Sequence, residues 1–157
     1  MPNTTPTLGF LLHDVARLLR KRFEQRARGH GLTRAQWQAL AYLANNEGIH
    51  QGGLAELIDI EPITLGRIVD RLEARGLIER RQHPTDRRVW LLFLTEAARP
   101  LLSVMREVGE ATRSEALLDI SETERQQLLD MLGRMKTNLT AACGAPVEDE
   151  DKEKSHG

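Results

Sequence analysis

Thr64, Arg67, Arg71 and Arg75 follow one another at helical spacing in a single short segment. At about 100° per residue a helix gathers them into one arc, beside a second arc of Leu65, Ile68, Val69 and Leu72. The apolar arc would seat such a helix on a core. The guanidinium groups beside it could hydrogen-bond phosphate oxygens or pair bidentately with guanine, and a threonine could meet a base edge or a thymine methyl. A solvated helix face has the same appearance, with Asp70 and Glu73 in reach of Arg67 and Arg71 for ion pairs along the helix. A second cluster shifts the balance. Asp86, Arg87 and Arg88 follow Pro84 in a short polar stretch. Pro and Asp suit any turn, but two adjacent guanidiniums on an exposed loop repel each other. The negative potential of a DNA minor groove attracts inserted arginine, and Asp86 could hold one arginine in place by a charge-assisted pair.

The elements that must present these groups can be read from hydrophobic period and punctuation. Leu8, Leu11, Leu12, Val15, Leu18, Leu19 and Phe23 make an amphipathic helix over 8–28, stopped by Gly29 and Gly31. Thr33 and Gln36 form a capping-box pattern opening a second helix with Trp37, Leu40, Ala41 and Leu43, closed at 45–48. Leu54, Ala55, Leu57 and Ile58 mark a short third helix that breaks at 59–61. Pro62 suits the first turn of a fourth, which runs to about Arg75 and ends at Gly76. The period then changes: 77–82 and 89–94 read as the strands of a β-hairpin with Asp86, Arg87 and Arg88 at its tip. Thr95 is placed to cap a fifth helix to about Leu118, and Ser121 with Glu124 forms a second capping box for a last helix carrying Leu128, Leu129, Met131, Leu132, Met135 and Leu139. The fold expected is mostly α with a small β-hairpin, a winged helix-turn-helix core over about 33–95. The helices at about 8–29 and 96–142 flank it within one domain, 1–142. The acidic, lysine-containing run that ends the chain cannot bury apolar surface, so 143–157 is expected to be disordered.

The net charge of −1 for 157 residues at first opposes a nucleic-acid partner. Its distribution does not. Residues 1–46 carry 7 basic and 2 acidic groups and 62–90 carry 7 and 4, whereas 47–61 carry 4 acidic and no basic groups and the tail is acidic. With 40% hydrophobic residues but no apolar run of membrane-crossing length and no signal-peptide pattern, the chain is expected to be cytoplasmic and to have no membrane partner. The single Cys143 reads as a bystander thiol, the scattered His residues do not form a metal site, and no cofactor is expected. Without a phosphate-binding glycine loop, a nucleophile elbow or a ligand cluster, no enzyme class is indicated. The first and last helices carry more leucine-rich surface than a core of this size can cover, which marks an interface and points to a homodimer.

Residues 54–95, LAELIDIEPITLGRIVDRLEARGLIERRQHPTDRRVWLLFLT, resemble the winged-helix core of the MarR family, in particular its SlyA-like branch. The resemblance rests on the DRLEARGLIERR run, the Asp86-Arg87-Arg88 wing and the Leu94-Thr95 that ends the hairpin. It extends outward through Leu32-Thr33 and Gln36-Trp37 over nearly all but the tail. Gly66 stands where a bulkier residue is often found, and Trp90 is large for its strand position. The resemblance implies a homodimeric transcription regulator, a repressor, whose N- and C-terminal helices interlock between protomers on a pseudo-palindromic duplex. Pro62, Ile63, Thr64 and Arg67, with Arg71 on the same helix face, would serve the major groove, and Arg88 with Asp86 and Arg87 the minor groove. It further implies relief by a small organic effector, such as an aromatic or phenolic acid, in a crevice that His13, Arg17 and Trp37 could line. The alternative is a small-molecule-binding or protein-interaction winged-helix module that does not bind DNA.

Overall fold

A computed structural model of the chain describes residues 5–147. It contains two compact units, one ending at Ala116 and one beginning at Leu117. In the first, α1 (Leu8–Ala27), α2 (Arg34–Ala44), α3 (Gln51–Ile58) and α4 (Pro62–Ala74) precede an antiparallel hairpin of β1 (Ile78–Gln82) and β2 (Trp90–Leu94). A single 3-10 turn, Glu96–Ala98, leads into α5 (Arg99–Ala116). The second unit holds α6 (Glu122–Cys143). This is the expected mostly helical, winged helix-turn-helix fold.

The element ends follow from local chemistry. At Thr33 both bonds of the capping box form: the Gln36 N–H donates to Thr33 Oγ1 at 3.2 Å and the Thr33 N–H donates to Gln36 Oε1 at 3.1 Å. Ser121 and Glu124 repeat the arrangement at the start of α6. Helix α4 closes with Gly76 at φ 73°, its N–H on the Glu73 carbonyl and the Leu77 N–H on that of Leu72. That pair of bonds needs a left-handed residue between them, hence glycine. The turn between α3 and α4 uses the same bonding, Asp59 to Glu56 and Ile60 to Ala55, but with Asp59 at φ 58°. The expected cap at Thr95 is corrected. The 3-10 turn separates Thr95 from α5, and its hydroxyl donates instead to the Gly76 carbonyl, tying the hairpin exit to the end of α4. Helix α6 runs one residue past Ala142 to Cys143, an exposed thiol. Of the tail expected to be disordered, 148–157 lies outside the described residues.

The core lies among α2, α3, α4 and the hairpin. Leu40 and Leu43 from α2, Leu54 from α3, Leu65, Val69 and Leu72 from α4, and Ile78 and Leu92 from the strands are fully or almost fully buried. The segment before α3 adds to the outer edge of β2. The Gly48 N–H donates to the Leu92 carbonyl, and the Leu92 N–H to that of Ile49. The hairpin is therefore anchored to the helix-turn-helix as well as to α4. Helix α1 packs on α5 and buries only Ala27, while Leu8, Phe10, Leu11, Leu12, Val15 and Leu18 are exposed. Helix α6 contains no buried residue, and Leu128, Leu129, Met131 and Leu139 are exposed on it.

Candidate nucleic-acid interface

Helix α4 divides as the residue types dictate. Leu65, Val69 and Leu72 are buried and Ile68 is half-buried, which leaves Pro62, Ile63, Thr64, Arg67 and Arg71 on the exposed side. Ile63 is 74% exposed in the first turn, an apolar side chain with no core to enter. The ion pairs that a solvated face would make between Arg67 or Arg71 and Asp70 or Glu73 do not form. Both carboxylates turn to Arg80 on β1, with Nη2 at 2.7 Å from Asp70 and Nη1 at 3.1 Å from Glu73. Among the described residues no carboxylate lies within ion-pair distance of Arg67, Arg71 or Arg87. Arg75, the last member of the stripe, turns away from it. Its Nη1 donates to the Gly31 carbonyl at 2.8 Å and braces the loop between α1 and α2.

The turn between the strands is built around His83. Its Nδ1 accepts the backbone N–H groups of Thr85 and Asp86, each at 3.2 Å. The His83 N–H on the Val89 carbonyl closes the loop. Asp86 Oδ1 then accepts from the Arg88 N–H at 3.1 Å and from Arg88 Nε at 3.3 Å. The Arg88 side chain is held at its base and yet 91% exposed. Arg87, beside it, is exposed too. Arg81, nearer the base of the hairpin, is committed elsewhere: it pairs with Glu79 and lies 4.1 Å above the Phe93 ring. Its guanidinium holds the Glu79 carboxyl below the usual carboxylate range.

Trp37, 3% exposed, lines a cavity of about 520 Å³ within the first unit, between α1, α2 and α5. The cations on its walls are Arg20, Arg34, Arg106 and Arg113. Phe23 meets Trp37 edge to face, and Trp37 Nε1 is buried without a hydrogen-bond partner. His13 and Arg17 are not among the lining residues. They are exposed nearer the start of α1, with Arg17 Nη2 at 3.7 Å from Asp14. Among the described residues there is no cluster of His, Cys, Asp and Glu suited to a metal ion, and no helix long and apolar enough to cross a membrane.

The MarR family model matches residues 30–89, which run from the end of α1 to the wing. The crystal structure of the transcriptional regulator PA3341 is 31% identical, with a TM-score of 0.77 over 86% of this chain and 99% of that one. The chain belongs to the MarR family. The structure of MarR itself is 28% identical, with a TM-score of 0.81 over 92% of this chain and 97% of that one. SlyA is 28% identical with a TM-score of 0.76, covering 87% and 96%, which supports the SlyA-like branch. MarR-family proteins are transcription regulators, not enzymes; they bind DNA and act as dimers.

Arg80 and His83 were not singled out by sequence reasoning. The signal for Arg80 was present in the period of β1: residues two apart share a face, so Arg80 shares the face of buried Ile78, and a guanidinium there must find partners. His83 gives no such signal, because a histidine after a strand is ordinary and its role depends on the turn it closes.

Proposed function

We propose that this chain is a sequence-specific DNA-binding repressor that acts as a homodimer on a pseudo-palindromic operator in the cytoplasm. Residues 1–142 form its functional domain. Pro62, Ile63, Thr64, Arg67 and Arg71 face the major groove, and Asp86, Arg87 and Arg88 enter the flanking minor groove. The observation that carries this reading is the release of Arg67 from Asp70, the carboxylate one turn along its own helix, which Arg80 engages, while Arg71 beside it is also unpaired among the described residues. A solvated face would gain from that ion pair; a phosphate-binding face gains from leaving the arginines unpaired. The exposed leucine rows of α1 and of α6 support a two-fold dimer, with recognition helices one DNA turn, about 34 Å, apart. Selection from a random duplex pool tests the reading: enrichment of an inverted repeat is expected, and a pool that stays random counts against it.

The cavity beside Trp37 supports relief by a small aromatic acid. An aromatic wall, an unpartnered indole N–H and four arginines suit a flat anion. His13 and Arg17 lie outside its walls and have no part in this site. Binding there would act on DNA affinity by favouring one spacing of the two recognition helices over another.

A further inference from the structure

Arg80 does more than pair two acids. Its side chain is 17% exposed. Nε and Nη2 donate to Gln51 Oε1, at 3.3 and 3.2 Å, at the first residue of α3. Nη2 also donates to the Gly66 carbonyl at 3.4 Å, in the middle of α4, while Asp70 and Glu73 hold its outer edge. One guanidinium on a wing strand thus joins both helices of the helix-turn-helix. Gly66 makes room for Gln51, since a Cβ there would come to 3.3 Å from Gln51 Nε2, the other end of the amide that Arg80 holds. Glycine within a helix costs about 1 kcal/mol relative to alanine. The close approach of Gln51 gives this glycine a reason.

We propose that Arg80 is a positioning residue for DNA recognition: by holding Asp70 it keeps Arg67 free for DNA, and through Gln51 and Gly66 it locks α4 to α3 and the wing. This rests on the DNA-binding reading above. Without Arg80, Asp70 lies one helical turn from Arg67, at the i,i+3 spacing at which helix side chains meet. The released Asp70 would then pair with Arg67, and both carboxylates would repel phosphates.

The test uses the full chain and a duplex selected by the wild-type protein, with the salt dependence of affinity as the readout. Arg80→Met should weaken binding at least tenfold at moderate salt. It should also flatten the log–log salt slope by about 2, because one arginine in each of two protomers no longer neutralises phosphate, at about 0.9 apiece. Adding Asp70→Asn and Glu73→Gln removes the released charges and should return the slope to within about 1 of wild type. A wild-type slope in Arg80→Met overturns the proposal, as does a slope that stays flat in the triple variant, because simple collapse of the site would leave it flat. If Arg80→Met does not fold, Asp70→Asn with Glu73→Gln on the wild-type background decides. These carboxylates are already engaged by Arg80, so affinity should change by less than about threefold, whereas a tenfold gain at low salt would show that they face the DNA and overturn it. Failure of the wild-type protein to prefer any duplex removes the DNA-binding reading itself; a preferred duplex bound equally well by Arg80→Met removes only the role of Arg80.

Discussion

Arg71 and Arg75 lie one turn apart on the same arc of α4, yet the structure assigns them different work. Arg71 has no carboxylate partner among the described residues, while Arg75 donates to the Gly31 carbonyl at 2.8 Å. Replacing Arg71 by Ala should therefore leave the melting temperature within about a degree of wild type, as expected for an exposed side chain that makes no stabilising interaction. Its effect should appear on DNA. With one phosphate per protomer no longer neutralised, at about 0.9 each, the magnitude of the salt slope falls by about 1.8 and the affinity by about 30-fold at 0.15 M salt. Arg75→Ala should behave in the opposite way. An exposed charge-assisted hydrogen bond contributes about 1 kcal/mol after discounting for solvent, or a few degrees in melting temperature, and the slope should not move. Anisotropy of a labelled duplex at four or five salt concentrations, with thermal melts of the same samples, gives both quantities. Equal slopes for the two variants would refute the division of the stripe. An unchanged slope for Arg71→Ala would mean that this arginine does not touch phosphate.

Further outcomes follow from the same geometry. Gly76→Ala should destabilise the fold by about 1 to 2 kcal/mol in a denaturant titration, although a methyl group there meets open space, because the cost is the left-handed backbone at φ 73°; a neutral substitution would mean that the turn relaxes freely. In the α6 capping box the Ser121 backbone N–H, helped by its hydroxyl, holds the Glu124 carboxyl below its ordinary range. That contribution is complete above the unfolded-state value and is lost as pH falls through the folded one, so acidification should reduce wild-type helicity more than that of Glu124→Gln; identical acid profiles would count against the box. Leu11→Asp, on the exposed apolar row of α1, should shift sedimentation toward the 17.7 kDa monomer, whereas a wild-type protein already at that mass at micromolar concentration would contradict the dimer. An aromatic carboxylate should change the emission of buried Trp37 in a Trp90→Phe background and weaken operator binding, and titration to millimolar concentration without either effect would remove that ligand class.

Much of the fold was legible because its signals are local. The two capping boxes, Pro62 at the start of α4, Gly76 at its end and the change from helical to alternating period at residue 77 are each set by near neighbours. The exposed arginine stripe of α4 was legible in outline for the same reason, since a helix wheel needs only spacing. Its partners were not. Arg75 bonds a carbonyl 44 residues away, and Arg80 reaches 29 residues back to Gln51, so which arginines are free depends on how the hairpin folds over α3 and α4. Thr95 misled for a similar reason: its position fits a helix cap, but the nearby Gly76 carbonyl takes its hydroxyl. The cavity beside Trp37 needs α1, α2 and α5 together, so its arginines could not be separated in advance from His13 and Arg17, which share α1 with Arg20.

The central claim is that two protomers read one duplex through α4 and the wing. A chemical footprint of the selected duplex, with guanine methylation probing the major groove and hydroxyl radicals the backbone, tests it most directly. The account predicts two protected major-groove patches centred about 10 base pairs apart, flanked by protected minor grooves. Removing Arg87 and Arg88 should erase the flanks and leave the patches. A single patch, protection without sequence preference, or flanks indifferent to those arginines would contradict it.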